Sequence, residues 1–92
     1  MGKEVVLFKN EEKMSSREAA SLLRQIADKV ETGEIVLERG KKSVNLSVPS
    51  HMEVEVKAEK EIGKKKTTIK LEVELEWPYG ESKAAVGPMK IR

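Results

Sequence analysis

The chain has 92 residues, of which 38% are hydrophobic and 37% charged, a length that allows one domain with a small core. Eighteen Lys and Arg residues against sixteen Asp and Glu residues give a formal net charge of +2, which is too balanced to indicate nucleic-acid binding by charge alone. Cysteine is absent, which excludes disulfides, thiolate nucleophiles and cysteine metal sites.

The N-terminal third of the sequence predicts a strand followed by a helix. Lys3 to Lys9 contain the β-favouring run Val5-Val6-Leu7-Phe8, which indicates a strand. The tetrad Ser15-Ser16-Arg17-Glu18 has the spacing of a capping box and predicts the start of a helix. A single apolar stripe at three-four spacing follows, formed by Ala19, Leu22, Leu23, Ile26 and Val30. Gly33 is suited to end this helix.

Beyond Gly33 the apolar period becomes twofold and predicts two hairpins. The first begins at Glu34, turns at residues 39–42 and ends at Pro49, which cannot continue a strand ladder. The second alternates apolar and charged residues through 52–59 and 69–77, on either side of a turn at 63–66. The regular alternation of this second hairpin is the strongest pattern in the chain.

Charge pairing selects the register of the second hairpin. With Ile62 opposite Thr67, unlike charges face each other in the pairs Lys57 with Glu72 and Glu59 with Lys70. A slipped register would place lysine against lysine and glutamate against glutamate. We expect the first register, which also sets Met52 opposite Trp77 on a buried face.

These elements predict an α+β fold in the order β-α-β-β-β-β, with one helix packed on one face of a mainly antiparallel sheet of about five strands. We expect one domain over residues 1–77 and a flexible C-terminal tail over 78–92, where Pro, Gly and Ser replace the periodic pattern. Because no apolar run of about eighteen residues could span a bilayer, we expect no membrane contact and a cytoplasmic location.

The order of the elements and several stretches resemble the amphi-Trp domain family, small proteins of archaea and bacteria. The stretches that carry the resemblance are Val6–Phe8, Met14–Ala20, Leu22–Ala27, Leu46–Pro49 and Leu71–Trp77. The resemblance covers most of the predicted fold and implies an architecture with an amphipathic strand that ends in a tryptophan. The resemblance supplies no catalytic motif that could be carried over to residues of this sequence.

The residues that could support catalysis or metal binding have simpler interpretations. His51 is the only histidine and lies in a turn, so neither a paired imidazole mechanism nor a His-rich metal site can form within one chain. Ser15 and Ser16 are explained by helix capping. The glutamates of the second hairpin, from Glu53 to Glu76, fit a solvated strand face beside Lys57 and Lys70. We therefore expect no enzyme, no metal and no cofactor.

Two functional hypotheses remain. The first is a protein-interaction or homo-oligomeric module that uses surplus apolar surface at Val6, Phe8, Val36 and Trp77. Trp77 is more simply a core or rim residue, with an aromatic binding platform as the alternative. The second is a weak contact with nucleic acid or another polyanion through basic hairpin turns, at Arg39, Lys41, Lys42, Lys64, Lys65 and Lys66. Nucleic acid is the less favoured partner, since lysine at turns also serves solubility.

Overall fold

A computed structural model of the chain describes residues 2–80. Its elements are α1 (Ser16–Thr32), β1 (Glu34–Arg39), β2 (Lys42–Ser47), β3 (Glu53–Ile62) and β4 (Thr67–Glu76). The fold is α+β with antiparallel strand pairs, as the sequence predicts. The chain divides into two compact units, Met1–Val48 and Pro49–Arg92. The predicted tail at 78–92 lies, from residue 81 onward, outside the described residues.

The start and the end of α1 both follow from local capping chemistry. Ser15 Oγ accepts a hydrogen bond from the Glu18 backbone N–H at 3.1 Å, and Glu18 Oε1 accepts one from the Ser15 N–H at 3.0 Å. At the other end Gly33 has φ +91°, a left-handed conformation that favours glycine, and its N–H donates to the Lys29 and Val30 carbonyls. The predicted boundaries of the helix are confirmed.

The hairpin of β1 and β2 provides the core of the first unit. Its strands pair from Glu34 opposite Ser47 to Arg39 opposite Lys42, around a two-residue turn in which Gly40 has φ +59°. A backbone hydrogen bond of 2.9 Å from the Val48 N–H to the Gly33 carbonyl ties the end of this hairpin to the end of α1. Helix α1 contacts β1. Within the described residues, only Ile35 (8% exposed) and Val48 (7%) are buried hydrophobic residues.

The strand predicted for Lys3 to Lys9 does not form. This segment carries no regular secondary structure, and Val5 and Val6 are both 72% exposed. Consecutive apolar residues point alternately to opposite sides of an extended chain, so the run offers no single face to bury. Without a partner ladder its apolar residues do not hold it as a strand. The described part of the chain therefore has four strands, where about five were expected.

The expectation of one continuous sheet is also wrong, because the four strands form two separate two-stranded sheets, β1–β2 and β3–β4. Strand β2 ends at Ser47, and Pro49 follows two residues later. Proline has no backbone N–H and cannot extend the ladder, so the chain leaves the first sheet at this point.

The register of β3–β4 is the one that charge pairing predicts. Ile62 lies opposite Thr67, Glu59 opposite Lys70 and Lys57 opposite Glu72. The ladder ends at the pair Glu53 and Glu76, one residue before the predicted pair of Met52 and Trp77. Both of those residues are half-buried.

Candidate functional site

The β3–β4 hairpin carries a regular apolar face. Alternate cross-strand pairs place the following residues on this one face: Val54 with Leu75, Val56 with Val73, Ala58 with Leu71, Lys60 with Ile69, and Ile62 with Thr67. Their exposed fractions include 57% at Val54 and Val73, 67% at Val56 and 71% at Leu71. The sequence predicts that this face is buried, and in the structure it is open to solvent.

The opposite face of the hairpin is charged, and at its centre it carries two cross-strand ion pairs and one ion pair within β3. Lys57 Nζ lies 3.5 Å from Glu72 Oε1 and 3.9 Å from Glu59 Oε2, and Lys70 Nζ lies 4.0 Å from Glu59 Oε1. The negative charges of Glu59 and then of Glu72 raise the pKa of Lys57. Because these groups are exposed, each pair is screened by water and salt, and the pairs set the register more than they stabilise the hairpin.

At the open end of the hairpin, where β3 begins and β4 ends, like charges face each other. Glu53 pairs with Glu76, and Glu55 pairs with Glu74. A side-chain hydrogen bond with Glu55, together with the negative charge of that residue, raises the pKa of the Glu74 carboxyl. Like charges that lie directly opposite in an antiparallel sheet are destabilising. The open end therefore carries unbalanced negative charge.

At the other end, the turn between β3 and β4 carries three exposed lysines, Lys64, Lys65 and Lys66. The turn closes through a 2.9 Å hydrogen bond from the Gly63 N–H to the Lys66 carbonyl. A Cβ atom at Gly63 would lie only 2.8 Å from that carbonyl oxygen. The hairpin thus has a basic end and an acidic end, about 30 Å apart for ten residues of extended strand.

The first unit contains an open groove of about 790 Å³ between α1, β1 and the N-terminal segment. Apolar side chains from all three elements line it: Phe8, Leu22, Ile26, Ile35, Val36 and Leu37. Polar residues including Glu12, Gln25, Lys29 and Arg39 also border the groove. Leu22 is still 43% exposed, so the apolar stripe of α1 is only partly covered.

The predicted polyanion contacts at the first turn do not behave alike. Arg39 Nη1 donates a hydrogen bond to Asn10 Oδ1, which ties the N-terminal segment to the end of β1. Asn10 in turn donates from Nδ2 to Glu12 Oε1 at 3.0 Å. Lys41 and Lys42 are exposed at the same turn. The guanidinium of Arg39 therefore has a structural partner, whereas the lysines present their charge to solvent.

The four residues of the predicted apolar patch divide between the units. Val6, Phe8 and Val36 belong to the first unit and Trp77 to the second. Val6 and Val36 are exposed, at 72% and 52%, while Phe8 and Trp77 are half-buried. Sequence reasoning missed the apolar face of β3–β4 as a candidate surface, because strong alternation is typical of strands that bury one face. The signal that distinguishes it is Lys60, a charged residue within the apolar series.

The described residues contain no cluster of three or more potential metal ligands. His51 accepts or donates one local hydrogen bond, between its Nδ1 and Ser50 Oγ at 3.1 Å. No helix in the part of the chain that the structure describes is long and apolar enough to cross a membrane.

The family model described as the Amphi-Trp domain matches residues 1–92, the whole length of the sequence. No curated protein and no solved structure matches the chain.

Proposed function

The chain belongs to the Amphi-Trp domain family, and we propose that it is a small non-catalytic module for protein interaction or self-association. Its binding surface is the apolar face of the β3–β4 hairpin. The single observation that carries the proposal is the exposure of that face, where six aliphatic side chains are between 57% and 78% exposed, namely Val54, Val56, Ile62, Ile69, Leu71 and Val73.

The energetics of this hairpin support a covered state. Fully burying one Val, Leu or Ile side chain contributes about 1.5–3 kcal/mol, so six that remain largely exposed forgo a stabilisation of several kcal/mol. A two-stranded hairpin is marginally stable in water unless its apolar face packs against something. Native domains are stable by only about 5–15 kcal/mol, and the forgone burial is large on that scale.

The distribution of charged residues supports a binding role over catalysis. The glutamates of the hairpin lie on an open strand face, where Glu59 and Glu72 are engaged by Lys57 at 3.9 and 3.5 Å. General acid-base catalysis uses carboxyls whose pKa is shifted by enclosure in a cleft. An open, charged outer face opposite a mainly apolar face is typical of a strand pair that packs on one side. The cytoplasmic location that the sequence favours stays a prediction.

The proposal is tested by measuring how well the apolar face is covered in living cells. The chain has no cysteine, so a Leu71→Cys variant carries one reactive thiol on the apolar face. A Glu72→Cys variant carries a matched thiol on the outer face of the same strand. Both variants are produced in the native host and treated with a cell-permeant maleimide, and the mass of the particle that contains the chain is measured.

We expect the thiol at position 71 to react at least tenfold more slowly than the thiol at position 72, in a particle heavier than one chain. Equal rates would show that the apolar face is open in the cell. Protection at position 71 in a particle with the mass of a single chain would show that the chain covers the face by itself. Either result would overturn the proposal.

A weaker polyanion-binding function is the second candidate, and the exposed lysines Lys64, Lys65 and Lys66 favour it. Binding through such a turn releases counterions, so the affinity must fall as salt rises. Replacing all three lysines by glutamine would then abolish retention on immobilised heparin, whereas replacing the pair Lys41 and Lys42 measures the contribution of the first turn. Retention that is unchanged by salt, or by both replacements, would exclude this function.

A further inference from the structure

We propose that the apolar face of the β3–β4 hairpin is covered by the same face of a second copy of the chain. The two hairpins pack antiparallel, so that the lysine turn of each copy lies beside the acidic open end of the other. This inference rests on the proposed function and names its partner.

The positions of the apolar residues make the face complementary to itself. The pair Ala58 and Leu71 is the third of the five pairs on this face, with two pairs toward each end. Consider a two-fold axis that lies between the two apolar faces, runs perpendicular to the strands and passes through this central pair. This axis brings Val54 of one copy against Ile62 of the other. It likewise brings Val73 against Ile69. Such a contact is isologous, the arrangement that closes into a dimer without leaving a free face.

The area of the face is sufficient for a dimer. An aliphatic side chain offers on the order of 100 Å² of apolar surface for burial. The six side chains that are 57–78% exposed, together with Ala58, Leu75 and the stem of Lys60, therefore present about 600 Å² per copy. The total of roughly 1,200 Å² lies at the lower end of the range for specific interfaces. The interface reaches this area only when the β3–β4 strands of the two copies overlap along their full length.

The charges at the two ends of the hairpin select the antiparallel orientation. Each open end carries the like-charged pairs Glu53 with Glu76 and Glu55 with Glu74, and each turn carries the lysines at 64–66. The antiparallel dimer brings each set of negative charges close to a set of positive charges. A parallel dimer would bring the two acidic ends together and the two lysine turns together, which complementary electrostatics disfavours.

Lys60 is the one charged residue within the apolar face, and it fits the same arrangement. It lies opposite Ile69, near the turn. Because each strand of a two-stranded sheet is an edge, its ammonium can reach water past the rim while its methylene stem packs on apolar neighbours. Under the two-fold axis Lys60 lies over Val56 of the second copy, on the side toward the acidic open end. The positive charge of Lys60 therefore also favours the antiparallel orientation.

The orientation is measurable with spin labels on the outer face, where they leave the apolar contact intact. A Glu53→Cys label lies five residues from the central pair, so an antiparallel dimer with sheets about 10 Å apart gives an inter-copy Cα separation of about 34 Å. A parallel dimer gives only about 10–15 Å. A Lys57→Cys label, one residue from the centre, is the matched control and gives about 12 Å in either orientation. Electron paramagnetic resonance on the full chain reads both distances.

A long distance at position 53 with a short one at position 57 is the expected result. Short distances at both positions would overturn the orientation, and the absence of any inter-copy coupling in the purified chain would overturn the homodimer. The second outcome differs from failure of the proposed function, which is decided by thiol protection in the cell. Protection in the cell without coupling in the purified chain would replace the second copy by a different protein partner.

Discussion

Glu55 and Glu74 lie directly opposite each other on the outer face of the β3–β4 hairpin, and their contact raises the pKa of Glu74. Two residues further in along each strand Lys57 lies opposite Glu72, and two residues beyond that Glu59 lies opposite Lys70. These unlike pairs set the register. The register that pairs unlike charges at the centre of the hairpin thus places like charges opposite each other at its open end. In the dimer proposed above, the lysines of a second copy would reduce this cost.

Replacing Glu74 by glutamine is expected to increase the free energy of unfolding at neutral pH. A carboxyl whose folded pKa is raised above its unfolded value stabilises the fold below the unfolded pKa, and this contribution is lost as pH rises through the folded pKa. The increase in the free energy of unfolding caused by Glu74→Gln is therefore present at pH values above the raised pKa of Glu74 and disappears in acid. Urea unfolding of the wild type and of Glu74→Gln at pH 7 and at pH 3 measures the difference in the free energy of unfolding at each pH.

The matched control is Glu72→Gln, which removes the ion pair with Lys57 at 3.5 Å. It is expected to lower the stability slightly at neutral pH, opposite in sign to the change at position 74. If both substitutions shift the urea midpoint in the same direction, the contact between Glu55 and Glu74 does not govern the stability of the open end.

Replacing Ser15 by alanine is expected to lower the stability of the first unit by about 1 kcal/mol, the usual cost of losing a helix N-cap. The substitution removes the acceptor for the Glu18 N–H. Hydrogen bonds from the Ser15 backbone N–H and then from its side chain lower the pKa of Glu18, so the contribution of that residue is present at neutral pH and is lost as pH falls through the folded pKa. Helical circular dichroism during urea unfolding reads the change.

Ser16→Ala is the control for this substitution, because Ser16 is the first residue of the helix and not its cap. If Ser15→Ala and Ser16→Ala lower the stability of the first unit equally, then helix propensity, and not the capping box, determines where α1 begins.

Replacing Gly63 by alanine is expected to destabilise the β3–β4 hairpin, since the added Cβ would lie 2.8 Å from the Lys66 carbonyl oxygen. Glycine-to-alanine changes normally stabilise by about 0.4–1 kcal/mol where the backbone tolerates them, and they destabilise where it does not. Hydrogen exchange of the Gly63 amide and of the ladder beside it reports on the turn. Gly2→Ala, where nothing lies within 4 Å, is the neutral control.

The sequence predicts local structure well wherever neighbouring residues determine it. The capping box at Ser15, the stop at Gly33 and the register at Lys57 each depend on contacts within a few residues or across one turn, and all three are confirmed. The prediction of a strand at Lys3 to Lys9 is wrong because β propensity alone does not supply a partner strand. The prediction of a single sheet is wrong because alternation shows which residues share a face but not what covers that face.

For the candidate surface, too, the sequence pattern does not show what covers an apolar face. Val36 and Val6 are exposed, as expected of surplus apolar residues, yet Trp77 belongs to the other unit. The long apolar face from Val54 to Leu75 was assigned to the core, since an alternating strand in a small protein usually packs inward. Lys60 is the sequence signal against this assignment, and the exposure of the individual side chains identifies the face as a surface.

The mass of the purified chain in solution tests the account most directly, by sedimentation equilibrium at low and high ionic strength. Leu71→Lys places a charge at the centre of the apolar face, and Thr68→Lys adds the same charge on the outer face. We predict a dimer for the wild type and for Thr68→Lys that persists in high salt, as an apolar interface does, and a monomer for Leu71→Lys. A wild-type chain that sediments at its single-chain mass of 10.3 kDa at every concentration would contradict the self-association proposed here.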